Sequence, residues 1–344
     1  MNIIPDIATP PIKKPPGRPS NKIKSVIPFR GIISLPEKIC EETPEYSNSM
    51  ELLYSNPIMF KKIFKLFKNY STNEILMRFT PTQVNIFGIS HTAKNVLYIT
   101  IFGEKMNRYY CDSTFDVSLD VPKIFKLMKS INNSHGYILF ESMQNDKLGK
   151  ISISLKNTDT GEKNMNILEL NTNTANPWEI VEQMLSREQF YPIEFGMAHK
   201  NWKMIVAKWN DISHTVRIEK IGNYPLNIVC NYEDNRGSCV STYENSKSIH
   251  LKSELEENDI FSIGLNLKFA HGYSTSLVGE QVIIRLSQTE PIIFTSDLDT
   301  EPYKVDNKKI KVKDSARAIV KVLTAIEKNA DEPINQELYN MFFN

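Results

Sequence analysis

The chain has 344 residues, enough for about two domains, and its 41 Lys and Arg residues are balanced by 40 Asp and Glu residues. This balance excludes a uniformly basic nucleic-acid coat protein and an acidic tail protein, but it permits a local basic surface. No apolar run reaches the roughly 18 residues of a membrane span. The four cysteines form no C-x-x-C pair, which argues against a disulfide framework and a structural zinc site. We therefore expect a reduced, intracellular protein that does not contact membranes.

Short strands and two helices are predicted over residues 49–171. The strands are rich in β-branched and aromatic residues, and the short spacings between them favour antiparallel pairing. The helices are predicted at Pro57–Tyr70 and Val121–Ile131, with Asn56 and Asp120 as their N-caps. The predicted strands are Glu74–Thr80, Gln83–Ile89, Asn95–Gly103, Met106–Ser113, Gly136–Ser142, Gly149–Asn157 and Asn164–Asn171.

The same order of elements is predicted to recur over residues 189–313. Helices are predicted at Ala198–Ser213 and Leu265–Leu277, and each begins about 140 residues after its counterpart, a spacing typical of an internal duplication. The predicted strands are Gln189–Met197, Thr215–Ile221, Pro225–Glu233, Gly237–Tyr243, Ser248–Leu255, Asp259–Gly264, Glu280–Gln288, Pro291–Asp299 and Lys308–Lys313.

Three further segments complete the organisation. Residues 1–48 are predicted to be a disordered, Pro-rich, basic arm, because they show no lasting helical or strand period. Residues 172–188 are predicted to be a connector with a short acidic amphipathic stretch at Glu179–Glu188. Residues 314–344 are predicted to be a tail with a helix at Ser315–Asn329.

Lysines are concentrated on the four predicted helices, which together contain eleven lysines and one acidic residue, Asp211. On the first three helices the lysines lie roughly opposite the apolar stripe. One interpretation is an ordinary solvated face, although such faces normally mix Glu with Lys. The other is a surface that faces a polyanion, with lysines acting on phosphates without reading sequence. The eleven candidate DNA contacts are Lys61, Lys62, Lys65, Lys68, Lys123, Lys126, Lys129, Lys200, Lys203, Lys208 and Lys268.

Four stretches resemble a known family, the PCNA-type DNA sliding clamps, and in particular the divergent clamp-like proteins of large DNA viruses. They are Phe60–Lys68, Gln83–Ile89, Arg108–Asp112 and Lys126–Lys129, and the element order over residues 50–313 is also that of a clamp. The resemblance implies an α+β fold of two duplicated domains, with antiparallel sheets outside and two helices per domain inside. It further implies a ring of three subunits around duplex DNA.

The resemblance also implies roles for particular residues. Lys61, Lys62, Lys68, Lys126 and Lys129 match positions that touch the duplex backbone in such clamps. In the second half, Met204, Ala207 and Gly264 stand where the family often has a basic residue.

Two kinds of contact follow from the same resemblance. Asn164–Leu170 and Ser248–Leu255 correspond to the edge strands that join subunits. Partner proteins would dock in an apolar groove beneath the connector, and the nearest matches are Ile89, Ile180, Met184 and Leu185.

Two short motifs lie outside the predicted domains. Pro16-Gly17-Arg18-Pro19 resembles an AT-hook core, in which an extended arginine segment enters the minor groove, so Arg18 is a further candidate DNA contact. The alternative is a Pro-rich linker. Near the end, Gln336, Tyr339, Phe342 and Phe343 resemble the peptide that partners insert into clamps, although the family prefers Ile, Leu or Met at the position of Tyr339. The alternative is an apolar segment that packs on its own domain.

The function expected from the sequence is a sliding clamp that tethers DNA polymerase or repair enzymes at sites of DNA replication, in a viral factory in the host cytoplasm or in the nucleus. The sequence contains no phosphate-binding G-x-x-x-x-G-K-[ST] motif and no nucleophile elbow, so we expect neither an enzyme nor a cofactor. Two alternatives stay open, namely a clamp-like transcription factor that recruits RNA polymerase and an enzyme on a duplicated α+β fold.

Overall fold

The computed structural model describes residues 49–142, 150–169, 177–186, 190–232, 237–276, 279–298, 302–305, 308–311, 316–326 and 340. Within this part of the chain, antiparallel strands alternate with five α-helices, which agrees with the α+β class predicted from the sequence. None of these helices is long and apolar enough to cross a membrane.

The first half consists of nine strands, two α-helices and a short 3-10 helix at Gly103–Lys105, counted within the described residues. Asp120 caps the second helix as predicted, because its side chain accepts a hydrogen bond from the backbone N–H of Lys123 at 2.7 Å. The first helix begins at Ile58, one residue later than predicted, and Pro57 before it already has helical dihedral angles and makes no side-chain cap hydrogen bond. The elements are β1 (Met50–Tyr54), α1 (Ile58–Asn69), β2 (Glu74–Phe79), β3 (Gln83–Ile89), β4 (Asn95–Phe102), β5 (Arg108–Cys111), β6 (Phe115–Asp120), α2 (Val121–Lys129), β7 (His135–Ser142), β8 (Lys150–Asn157) and β9 (Lys163–Glu169).

The second half begins after a helix in the connector, where the predicted acidic amphipathic stretch forms α3 (Trp178–Ser186). The remaining elements are β10 (Ile193–Ala198), α4 (His199–Asn210), β11 (Thr215–Ile221), β12 (Leu226–Asn231), β13 (Ser238–Tyr243), β14 (Ile249–Ser253), β15 (Ile260–Asn266), α5 (Leu267–Ser276), β16 (Gln281–Leu286), β17 (Ile292–Leu298), β18 (Pro302–Val305), β19 (Lys308–Lys311) and β20 (Ala318–Thr324).

Strand pairing follows one pattern in both halves. In the first half the strands pair in the order β5-β1-β7-β8-β9. In the second half the counterpart order is β14-β10-β16-β17-β20. The chain β6-β2-β3-β4 likewise has the counterpart β15-β11-β12-β13. The pairing of β20 with β4 joins the halves into a nine-stranded sheet, while five- and four-stranded sheets flank it.

The segment predicted as a helix at Ser315–Asn329 contains a strand instead, so that prediction is wrong. β20 lies between β17 and β4, and Ala318, Val320 and Val322 alternate as fully buried residues on the face toward the main core. A period of two with ladder hydrogen bonds on both sides is the environment of a central strand.

The core lies between the helices and the inner faces of the sheets. α1 contributes Phe60, Ile63, Phe64 and Phe67, and α4 contributes Trp202 and Trp209, all with less than 1% of their surface exposed. A second, smaller cluster lies on the opposite face of the nine-stranded sheet, beneath α3. The helices that pack against one another form a row in the order α2, α1, α5, α4.

The position of β20 makes a stability prediction. Val322→Ala should lower the free energy of unfolding by about 2 kcal/mol, because it removes buried methyl groups from the main core. Ile319→Ala, on the partly exposed face of the same strand, should cost less. Chemical denaturation of both variants measures the difference, and equal effects would contradict a strand with one fully buried face.

Candidate nucleic-acid interface

The helix row carries all eleven lysines predicted to contact DNA. Lys61 and Lys62 on α1 are half-buried, and the other nine are exposed. α1 and α4, at 12 residues each, are about 18 Å long at 1.5 Å per residue. The row therefore presents positive charge over a length comparable to several phosphate spacings of duplex DNA.

Two lysines of α1 are held by neighbouring helices. The Lys61 Nζ donates hydrogen bonds to the carbonyl oxygens of Lys129 at 3.1 Å and Ile131 at 2.5 Å, where α2 ends. The Lys65 Nζ donates to the carbonyl oxygen of Thr275 at 2.9 Å, near the end of α5. A cation at a helix C-terminus satisfies open carbonyls and interacts favourably with the helix dipole. These two lysines therefore hold neighbouring helices of the row together and also contribute to its positive charge.

Lys68 has a partner on the neighbouring helix. The Lys68 Nζ lies 4.5 Å from the centre of the Phe125 ring, which is the geometry of a cation–π contact between α1 and α2.

Burial lowers the pKa of His199 at the start of α4, and the positive charges of Lys203 and Lys62 lower this pKa further. The His199 Nε2 is buried and has no hydrogen-bond partner among the described residues. The imidazole is therefore held neutral in a positive field, a feature that sequence reasoning missed because its cause is tertiary.

The side chains of seven lysines of the row are exposed and make no hydrogen bond or ion pair within the residues that the structure describes. On the sheets, by contrast, five basic groups are paired with carboxylates. The seven lysines are Lys123, Lys126, Lys129, Lys200, Lys203, Lys208 and Lys268. The pairs on the sheets are Arg78–Asp116, Arg108–Glu51, Arg217–Glu219, Arg285–Glu194 and Lys252–Glu254.

The departures noted in the second half are visible in the structure. Met204 on α4 is 63% exposed, and Ala207 lies exposed beside Lys208. Gly264 lies in β15, where it pairs with Arg217 of β11. The second half therefore supplies fewer exposed cations to the row at matching positions, and Lys200, Lys203, Lys208 and Lys268 supply its positive charge.

The groove predicted beneath the connector is occupied by the connector itself. Ile89 is 4% exposed and belongs to the cluster in which Trp178 and Val181 of α3 are buried. Arg78 holds α3 in place, since its guanidinium lies 4.7 Å from the centre of the Trp178 ring and 3.4 Å from the Glu182 carboxylate. Trp178 and Val181 thus fill the space that a partner would need above Ile89.

The other predicted groove residues are half-buried. Ile180, Met184 and Leu185 all pack against the same cluster, and Met184 and Leu185 also border a cavity at the C-terminal end of α3. Several predicted site residues, Arg18, Gln336, Tyr339, Phe342 and Phe343, lie outside the described residues.

Comparison with known proteins shows relatives among viral proteins. The uncharacterized protein E301R of African swine fever virus is 25% identical over 308 residues, which cover 84% of this chain and 94% of E301R, in isolates from Kenya and Namibia alike. The "Probable DNA polymerase sliding clamp 1" of Paramecium bursaria Chlorella virus 1 is 24% identical over 117 residues, or 33% of this chain and 44% of that protein. No protein-family model matches the chain.

The contacts of the lysines predict two kinds of substitution effect. Lys61→Ala should lower the free energy of unfolding by about 2 kcal/mol, because two charge-assisted hydrogen bonds to the end of α2 are lost. Lys126→Ala, which removes an exposed lysine without a described partner, should change it by less than about 0.5 kcal/mol. Urea denaturation tests both variants, and equal effects would show that the Lys61 contacts do not stabilise the row.

Proposed function

We propose that this chain is a sliding clamp that closes into a ring of three subunits around duplex DNA. The proposal rests on one strand pair. The two halves repeat the same strand arrangement, but one pair that joins the halves has no second copy among the described residues. β4 and β20 pair within the chain, while their counterparts β13 and β9 are each the edge strand of a sheet within the described residues. Pairing β9 of one subunit with β13 of the next would build a second nine-stranded sheet, with the counterpart strands in the same order.

The exposed side chains of these edges support this pairing. Met165 and Ile167 on β9 are 58% and 47% exposed, and Val240 on β13 is 54% exposed. Exposed apolar residues on open strand edges favour association with another chain. In β9–β13 pairing they would be covered, and both sheet edges would find hydrogen-bond partners.

The register of the proposed pair follows from its counterpart. Leu323 of β20 pairs with Val96 of β4. Tracing the ladders through both halves makes Ile167 the counterpart of Leu323 and Ser238 that of Val96. This register places Met165 opposite Val240, and Asn166 opposite Cys239. We therefore propose β13 as the second ring edge instead of Ser248–Leu255.

The interface joins two different surfaces of the same chain. Such head-to-tail contacts produce closed rings when the rotation between subunits closes. Three subunits would contribute six similar halves, with their helix rows facing the bore. The seven exposed lysines would then meet phosphates as sequence-independent charges, while closure of the ring would supply retention.

Similarity to a viral sliding clamp over a third of the chain supports the same proposal. We propose a tethering role without catalysis, with DNA polymerase or repair enzymes as partners, at sites where DNA is replicated. Retention by topology would permit weak contacts with DNA, which a protein must have if it is to move along the duplex.

A cysteine substitution tests the interface. Asn166→Cys should form a disulfide with the native Cys239 of the next subunit under mild oxidation, because residues opposite each other on antiparallel strands lie within bonding range. Asn164→Cys, whose register position is opposite Ser241, is the matched control and should cross-link much less. Gel electrophoresis without reductant and light scattering should show covalent trimers, and a monomer in both measurements would refute the ring.

Retention on DNA tests the bore. The protein should thread onto linear duplex DNA, remain bound at raised salt when the ends are blocked with streptavidin, and leave when the DNA is cut. Lys126→Glu or Lys203→Glu should reduce loading at least about tenfold, because each places repulsive charge against phosphates in every subunit. Lys252→Glu, a reversal on an outer strand, should load normally, and equal loss in all three variants would contradict an electropositive bore.

A further inference from the structure

A cavity of about 380 Å³ lies at the C-terminal end of α3, between this helix and the outer face of β10, β16, β17 and β20. Its volume falls within the range of ligand pockets. Met184, Leu185 and Tyr191 form apolar walls, and Phe190 beside them is 65% exposed. The cavity is therefore suited to aromatic or aliphatic side chains.

Among the described residues, one positive charge on the polar side of the cavity has no partner. Arg285 pairs with Glu194 at 3.0 Å, and Lys252 pairs with Glu254 at 2.8 Å. The remaining cation, Lys321, has no hydrogen bond or ion pair among the residues that the structure describes. Burial lowers the pKa of Lys321, and the positive charge of Arg285 lowers it further. A carboxylate bound at this position would compensate the unmatched charge.

The chain contains a segment with both required properties. Residues 327–344 contain four acidic residues and one lysine, a net charge of −3, and they include Tyr339, Phe342 and Phe343. In a helical turn, residues spaced by three and four positions share one face. The acidic and aromatic content of this segment thus matches the unmatched cation and the apolar walls of the cavity.

The segment begins four residues after Leu323, which lines the cavity, although Ile326 between them packs in the main core. Leu323 lies at the end of β20, and the backbone N–H of Ala325 donates to the carbonyl oxygen of Lys94 at 2.9 Å, which fixes where the chain leaves the sheet. From Ile326, ten residues reach Gln336, and an extended chain of that length spans up to about 33 Å. The aromatic residues can therefore reach the cavity of their own chain without strain.

We propose that residues 327–344 dock in this cavity of their own chain, with Tyr339, Phe342 and Phe343 against its apolar walls and a carboxylate of the segment on Lys321. The docked segment would cover Phe190 and exclude other acidic, aromatic peptides from the site. This inference does not depend on ring formation or on DNA binding.

Photo-cross-linking in the full chain tests the occupant. With p-benzoylphenylalanine at position 190, the cross-link should map to residues 338–343 of the same chain. Mixing isotopically labelled and unlabelled protein distinguishes the source, because a cross-link between labelled and unlabelled chains would assign the cavity to a second copy. That result, or a cross-link that avoids residues 327–344, would overturn the proposal.

Binding in trans tests the contacts. A fluorescent peptide of residues 327–344 should bind the Phe342→Ala, Phe343→Ala chain at least tenfold more tightly than the unsubstituted chain, whose cavity is already occupied. Adding Lys321→Met should remove this binding, whereas Lys321→Arg, which keeps the charge, should retain it. Lys156→Glu, at an exposed position of β8 outside both the helix row and the cavity, is the control and should not change peptide binding. Equal binding to all variants, or no binding to any, would refute the proposal.

Discussion

The backbone hydrogen bonds between β20 and β4 join the two halves of the chain into one nine-stranded sheet. This ladder fixes the distance between the halves, so that α1 and α5 can pack together and four helices form a continuous row. The counterparts of these two strands, β9 and β13, are edge strands of the five-stranded and the four-stranded sheet within the described residues. When both faces of an edge strand are polar, little fixes the register in which it pairs with another strand. In β9 and β13, the exposed apolar side chains of Met165, Ile167 and Val240 lie on one face and can select one register.

A row of like charges destabilises the helices that carry it, and the structure offsets part of this cost locally. Lys61 and Lys65 turn toward the carbonyl ends of α2 and α5, and Lys68 lies over Phe125. These contacts use positive charge where the helix dipoles favour it, so the same side chains hold the helices side by side. The lysine side chains without described partners are then available to an external polyanion, while on the sheets ion pairs such as Arg78–Asp116 and Arg217–Glu219 neutralise single basic groups.

Local patterns predicted most elements, and non-local contacts explain the failures. β3 and β11 have the predicted bounds because their apolar residues and turns are local signals. In the segment that contains β20, the spacing of Ile319, Val322 and Ile326 fits a helix. The spacing of Val320 and Val322 fits a strand equally well, and pairing with β17 and β4 decides between the two. The carbonyl partners of Lys61 and Lys65 lie 68 and 210 residues away, so no sequence window contains these contacts.

Trp178 determines where the outer face of the nine-stranded sheet can accept a ligand. Its ring is 1% exposed, packs near Phe87 and lies under Arg78, so removing it from the sheet would expose a large apolar area and break a cation–π contact. A ligand that replaced it would need to compensate both losses. The cavity beside Met184 and Leu185 requires no such displacement, because its apolar walls and Lys321 are already accessible. Recognition on this face therefore favours the end of α3 over the space beneath it.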